Sequence, residues 1–284
     1  MPLKITKTPK CYVGGAFIRS ESGAVSPMHS LSGEFIANIP QCSRKDLRNA
    51  VEAAAKAGGW AKRSAYNRGQ ILYRMAEMLD ARASEMADAI AITEADKKTA
   101  AAEVQVTIDR MVHYAGWTDK YEALLGSVNP VASSHFNFTV TEPCGIVGII
   151  AADPFPLLGL MSLVLPAITS GNTVVALASS AAPYPAILLG EMLATSDLPA
   201  GVVNLLTGKR SDMISTFATH AHISSIAAAV NQTDAITLQQ GAAENLKRVS
   251  LFDPETHWTS TESQGLDLIR NHLEFKTTWH PVGA

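Results

Sequence analysis

Hydrophobic and polar positions change rhythm along this chain, and the changes mark out its elements. The opening "CYVGGAFIRSESGAVSP" alternates apolar and polar residues between glycine breaks, which predicts short strands and hairpin turns. Ser43 followed by Asp46 has the spacing of a helix cap, and Leu47, Ala50, Val51 and Ala54 repeat at helical intervals until Gly58 and Gly59 stop the run. From about Tyr66 to Leu125 the pattern stays helical almost throughout. Ile71, Leu72, Met75, Met78 and Leu79 make one apolar stripe, and Val104, Ile108, Met111 and Val112 make another. The methionines here read as core filling, because an unbranched thioether adapts to irregular gaps.

A period of two takes over in "HFNFTVTEP", with Phe136, Phe138 and Val140 on one face and Asn137, Thr139 and Thr141 on the other, the pattern of a half-exposed strand. Beyond Pro143, β-branched runs alternate with helical ones: strands at 145–151, 172–178, 201–207 and 223–230, helices at about 156–170, 183–195 and 211–219, and a further strand in "NLKRVSLF". Such alternation predicts an α/β fold, a Rossmann-like doubly wound parallel sheet preceded by N-terminal helices and joined by a small β flap. "DPETHWTSTESQ" has no periodicity and reads as a linker. A short helix near 264–272 and the alternating strand "LEFKTTW" close the pattern, with Leu273, Phe275, Thr277 and Trp279 on one face. The expected organisation is a sheet-bearing unit over 1–252 with flap strands near 130–142, a linker over 253–264, and a helix and strand over 265–284.

Composition narrows the function. The chain has 284 residues, 47% of them hydrophobic and 17% charged, the profile of an ordinary globular protein. A net charge of −3 argues against nucleic acid as a partner, and no basic block suggests a membrane surface. No apolar leader or spanning run stands out, so a cytoplasmic location is the expectation. The three cysteines, Cys11, Cys42 and Cys144, lack CxxC spacing and imply neither a disulfide framework nor a zinc site. Cys42 stands just before a helix start, where a thiol pKa can fall, yet its place in the N-terminal region speaks against a nucleophile. His220 and His222 have chelate spacing, but no acidic or cysteine cluster joins them, and no metal site is expected. Phosphate-loop, dinucleotide-fingerprint and hydrolase-elbow motifs do not occur.

Taken in order, "YVGGAFIRSESGAVSPMHSLSGEFIANIP", "YAGWTDK", "TEPCGIVGII…PFPLL", "LPAITSGNTVV", "DLPAGVVNLLTG" and "NLKRVSL" resemble the aldehyde dehydrogenase superfamily over nearly the whole chain. The resemblance implies a cofactor-binding domain for NAD(P), an active-site cysteine that attacks the aldehyde, an asparagine that holds the oxyanion and a glutamate that activates water. It also implies where those groups should stand, and each place holds something else. Pro154 in "DPFP" replaces the oxyanion asparagine of the family's W-N-F-P turn, and loss of one such donor typically costs about 10²–10³ in rate. Phe252 stands where the glutamate would be, and a phenyl ring cannot take a proton; Asp253 and Glu255 nearby read as solvated linker carboxylates. The cysteine-bearing catalytic domain would lie between "LKRV" and the C-terminal arm, where only the linker from Asp253 to about Gln264 is found.

The cofactor motifs are altered too. Leu177, Ala178, Ser179 and Ser180 stand in place of the ribose-binding K-P-A-E stretch, and Val230 and Asn231 replace the glycine and serine of F-T-G-S-T, where glycine allows close approach of phosphate. Arg210 follows "TGK" where the family has a second glycine, and the Lys209–Arg210 pair reads as a solvated basic turn. The expectation is therefore no catalytic, cofactor-binding or metal-binding residues. The strands near "FNFTVTEP" and "LEFKT" resemble the family's bridging flap, which adds to a neighbouring subunit. That leads to a catalytically inactive, aldehyde dehydrogenase-like subunit that associates with an active aldehyde dehydrogenase, or with itself, to stabilise or regulate it. The alternatives are an NAD(P)-dependent oxidoreductase completed by another chain, and a homo-oligomeric structural or small-molecule-binding module.

Overall fold

In the computed structural model, which describes residues 7–93 and 97–283, the chain opens with the hairpin β1 (Cys11–Val13) and β2 (Ala16–Ile18) and the ribbon β3 (Val25–His29) with β4 (Phe35–Pro40). Helices α1 (Arg44–Lys56), α2 (Ala65–Asp80), α3 (Ala83–Ala91), α4 (Lys97–Ala115) and α5 (Tyr121–Leu125) follow. Residues 94–96, inside the stretch predicted to be helical, lie outside the described residues. α1 begins at a reciprocal cap. The Ser43 hydroxyl accepts the Lys45 and Asp46 amides, while the Asp46 carboxylate accepts the Ser43 amide at 2.8 Å. The glycine pair after α1 opens a 3₁₀ turn (Gly58–Lys62) that seats Trp60, whose indole N–H donates to Ile168 O at 2.8 Å. Val104, Ile108 and Met111 are buried as their stripe predicts, but Val112 is 42% exposed, because a helix turns about 100° at each residue and carries it off the face.

Three strands then form the flap: β5 (Ser127–Asn129), the first half of the pair β6 (His135–Pro143), and, much later, the chain's last strand. The parallel core runs β7 (Ile146–Ile150), α6 (Leu158–Thr169), β8 (Thr173–Leu177), α7 (Tyr184–Leu193), β9 (Val203–Leu206), α8 (Arg210–Thr219), β10 (Ile223–Ala229), α9 (Gln232–Ala243) and β11 (Arg248–Phe252). α10 (Leu266–Arg270) and β12 (Leu273–Pro281) complete it. α9 has no counterpart among the predicted elements, since only Ala235, Leu238 and Ala242 of its polar sequence turn inward.

The seven-stranded sheet has the order β11-β10-β7-β8-β9-β1-β2, parallel from β11 to β9 and antiparallel at β1 and β2. Alternate side chains of each buried strand serve opposite layers. Val147, Ile149, Val174 and Ala176 pack with α2, α4, α6 and α7. Ile146, Ile150, Val175 and Leu177 pack with α1, α8 and α9. This is the doubly wound sheet that the strand pattern predicts. Every residue of α6 is buried, and the uniform hydrophobicity of that segment follows from its place between the sheet and α4.

The pairing register of the flap decides where its apolar side chains point. β12 pairs with β6 so that Phe275, Thr277 and Trp279 lie opposite Thr141, Thr139 and Asn137. Directly paired residues share a face, so the apolar side chains of β12 and those of β6 (Phe136, Phe138 and Val140) point to opposite sides of the flap. The aperiodic stretch after β11 is also not free. Trp258 is fully buried, and a 3₁₀ turn (Thr261–Ser263) leads into α10.

Candidate functional site

In a doubly wound sheet, ligands bind outside the carboxyl ends of the strands where the strand order reverses. Here the reversal lies between β7 and β10, so the crevice belongs to the corner after β7, "AADPFP", and to the start of α9. The corner bends sharply. Phe155 has φ +55°, a left-handed conformation that costs a side-chain-bearing residue about 1–2 kcal/mol.

Arg210, the first residue of α8, reaches into this crevice. Its Nη2 donates to Ala151 O at 3.0 Å and to Asp153 Oδ2 at 3.2 Å, and its Nη1 lies 4.0 Å from Asp234 Oδ2 in the first turn of α9. The side chain is 15% exposed, so the solvated basic turn expected for Lys209–Arg210 holds only for Lys209. Asp153 explains the difference. It offers a carboxylate within reach, and that carboxylate's other oxygen accepts the Ser180 amide at 2.8 Å, the Ser179 hydroxyl at 3.2 Å and the Ala181 amide at 3.3 Å. Ser180 Oγ in turn donates to Gly208 O at 3.2 Å. The stretch Leu177–Ser180 thus spends its polar atoms on the protein's own corner.

The helix starts that flank the crevice are occupied in the same way. Glu103 of α4, 3% exposed, accepts the amides of Leu157 and Leu158 at 2.9 Å each, at the opening of α6. Burial pushes the Glu103 carboxyl pKa up, and the two amides oppose that shift. At α9 the side chain of Asn231 accepts the Asp234 amide at 2.9 Å, and the carboxylate of Asp234 stands in the first turn. An anionic ligand seeks free amides and positive potential at a helix start. Both starts here already hold internal acceptors.

Trp258 covers the other side of the corner. A Cβ placed on Gly159 of α6 would come within 3.3 Å of Trp258 Nε1 and 3.4 Å of Pro154 O, so the indole lies close against the helix and a side chain there would press on it. Its ring centroid is 5.7 Å from that of Phe252. Arg110 of α4 holds this segment down: its guanidinium donates to Ser162 Oγ, to Trp258 O at 2.6 Å and to Ser260 O at 3.1 Å. Burial draws the Arg110 pKa down, yet an arginine so ligated stays charged. Glu103, Arg110 and Trp258 escape sequence reasoning because each lies far along the chain from the corner it completes.

Of the other positions weighed from sequence, Val230 is 5% exposed at the end of β10, and Asp253 and Glu255 are exposed, with the Glu255 amide bonded to Asp253 Oδ1 at 2.8 Å. Cys42 is a correction. It is buried, and its thiol pKa is pushed up by its hydrogen bond to Cys11 and by burial, the reverse of the lowering that its position before a helix suggests. His220 and His222 lie at the amino end of β10, away from the crevice, with rings 6.0 Å apart, and among the described residues no group of three metal-ligating side chains converges. No helix among those residues is long and apolar enough to cross a membrane. A dinucleotide would need open helix starts, a glycine beside its phosphates and charged groups for its ribose. The residues present, with Arg210, Asp153, Glu103 and Asn231 already paired, do not fit one.

The sheet order and its switch point place the molecule among doubly wound, dinucleotide-type α/β folds. More specifically, residues 17–252 match the model of the aldehyde dehydrogenase family, and the chain belongs to that family. It is 32% identical over 253 residues to retinal dehydrogenase 2 of Gallus gallus, covering 86% of this chain and 48% of that one. It is 31% identical over 250 residues to the mitochondrial benzaldehyde dehydrogenase of Antirrhinum majus, covering 85% and 46%. Among solved structures it is similar to the NAD-dependent aldehyde dehydrogenase of Sinorhizobium meliloti, with a TM-score of 0.81, 28% identity, and 88% and 50% of the two chains covered. The NAD+ complex of an aldehyde dehydrogenase from Bacillus cereus shares the fold at TM-score 0.82, with 24% identity and 86% and 50% covered. The chain thus spans about half the length of the relatives it matches.

Proposed function

We propose that this chain is a non-catalytic aldehyde dehydrogenase-like subunit that docks through its flap onto an active aldehyde dehydrogenase and stabilises or regulates it. The observation that carries this reading is the occupied crevice. Arg210 bonded to Ala151 and Asp153, Glu103 on the α6 amides, and Trp258 against Gly159 take the space and the donors that cofactor chemistry would use. Nor does the segment 253–272, which joins β11 to β12, contain a cysteine to act as nucleophile.

The flap supports the docking part. Among the described residues β12 pairs along one edge, to β6, and on it Phe275 and Trp279 are 43% and 57% exposed. Phe136 and Val140 are exposed on the other side, so the flap presents apolar groups on both faces and a row of backbone donors and acceptors along one edge. Such an edge invites strand addition from another chain. Family membership supports the choice of an aldehyde dehydrogenase as the partner, because the flap strands resemble those that join subunits in that family.

Co-expression of a tagged copy with a full-length aldehyde dehydrogenase from the same genome, followed by size exclusion with light scattering, tests the reading. A mixed oligomer is expected, with no NAD(P)-dependent aldehyde oxidation by this chain alone. A chain that always elutes by itself, or that oxidises aldehydes unaided, overturns it.

A further inference from the structure

Cys11 and Cys42 are thirty-one residues apart in sequence, yet the fold sets their sulfurs 3.3 Å from each other. Cys11 lies on β1, and Cys42 fills the turn between β4 and the Ser43 cap of α1. The two side chains are 1% and 5% exposed. Thr207, just past β9, anchors both segments. Its carbonyl accepts the Cys42 amide at 2.9 Å, its hydroxyl donates to Pro40 O at 2.7 Å, and the same hydroxyl oxygen lies 3.3 Å from Cys11 Sγ. Backbone pairing therefore fixes the positions from which the two thiols face each other. A disulfide needs the sulfurs at about 2 Å, so side-chain torsion has only a little over an ångström to close. Neither thiol has a role in the crevice or the flap.

We propose that Cys11 and Cys42 are a modification site, a dithiol that a small peroxide oxidises to an intrachain disulfide, stapling β1 to the start of α1. The sulfurs share one hydrogen bond, so whichever thiol loses its proton is held as a thiolate by the S–H of the other. With Cys11 as that thiolate, its sulfur attacks one oxygen of hydrogen peroxide. The O–O bond breaks, a sulfenic acid forms, and with one proton the departing hydroxide leaves as water. Cys42 then gives up its proton and attacks the Cys11 sulfur. The S–O bond breaks, the S–S bond forms, and the hydroxide takes that proton to leave as a second water. The two thiols lose two electrons in all, and the peroxide gains them. Cys144 is the internal control: it bonds Asn172 rather than a second thiol, and burial pushes its pKa up to about 12.

The test is mass mapping of the intact, folded chain after hydrogen peroxide treatment and alkylation. Tryptic cleavage at Lys10, Arg19 and Arg44 places the two cysteines in separate peptides, 11–19 and 20–44. The expected product is those peptides joined, lighter by two hydrogens than their sum, with Cys144 alkylated and the link reversed by dithiothreitol. The oxidised chain is expected to melt higher than the reduced one. A Cys144→Ser variant is expected to behave identically. Both cysteines remaining alkylatable, a sulfinic acid at either, or a link between two chains each overturns the proposal. Because the wild-type chain carries the readout, the result does not depend on any variant folding, nor on whether the chain docks onto an enzyme.

Discussion

At the crevice, side chains that could meet a ligand have turned to one another: Arg210 to Asp153, Glu103 to the α6 amides, Asn231 to the α9 amide, Trp258 to Gly159. At the flap, Phe275, Trp279, Phe136 and Val140 face outward from a sheet whose last strand, among the described residues, has one edge unpaired. The two regions belong to one family scaffold but have opposite unmet needs. The crevice's polar atoms bond mostly to one another, with Arg210 Nε and Trp258 Nε1 buried without a partner among the described residues, whereas the flap's exposed apolar groups stay free to meet another surface. The difference teaches that binding capacity resides in the groups left unpaired. Resemblance of fold does not carry it.

The largest expected contrast is between two tryptophans. Trp258→Ala removes a fully buried indole and is expected to cost about 3–5 kcal/mol in urea unfolding, whereas Trp279→Ala, at 57% exposure, is expected to stay within about 0.5 kcal/mol. Equal losses would erase the distinction between the regions.

Next comes acid. His272, fully buried beside Ser225 Oγ at 3.2 Å, has its pKa lowered to about 4 by burial and by Arg248. An imidazole whose folded pKa lies below its unfolded value of about 6.5 adds stability that is fully present above that value and lost as pH falls toward 4, about 3 kcal/mol in all. Urea midpoints measured across that window should fall for the wild type, and the slope should flatten in His272→Gln. An unchanged slope would remove His272 from the account.

A smaller effect is expected at the crevice's ion pair. Arg210→Met removes the partner of one Asp153 oxygen while the other keeps its amides, a loss of about 1–2 kcal/mol in the same assay. NAD binding should not appear, because Glu103 and Asn231 still occupy the helix starts. The smallest effect on stability belongs to the double variant Phe275→Ser, Trp279→Ser, expected to unfold within about 0.5 kcal/mol of the wild type yet to lose the mixed oligomer on a sizing column. Retention of the complex would move the docking surface elsewhere.

Much of the fold was legible in the sequence because local periodicity set it. The β-branched runs at 146–150, 173–177 and 203–206 and the helical stripes of α2 and α4 report burial directly. α9 was not legible, since it buries only one narrow seam. The sequence placed Pro154, Phe252 and Val230 around the crevice but did not tell which side chains fill it. Arg210 looks like a surface charge until Asp153 is seen across from it, and Trp258 looks like linker until Arg110, on a helix far earlier in the chain, is seen to hold its carbonyl. The flap's two-sided apolar surface depends on the pairing register of β6 with β12, which no single strand's alternation reveals.

Whether the protein's own side chains have closed the cofactor crevice is tested most directly by isothermal titration of NAD and NADP into the purified chain. Only dilution heat is expected up to millimolar nucleotide; a saturable isotherm with a dissociation constant in the millimolar range or tighter would contradict the closure on which the non-catalytic reading stands.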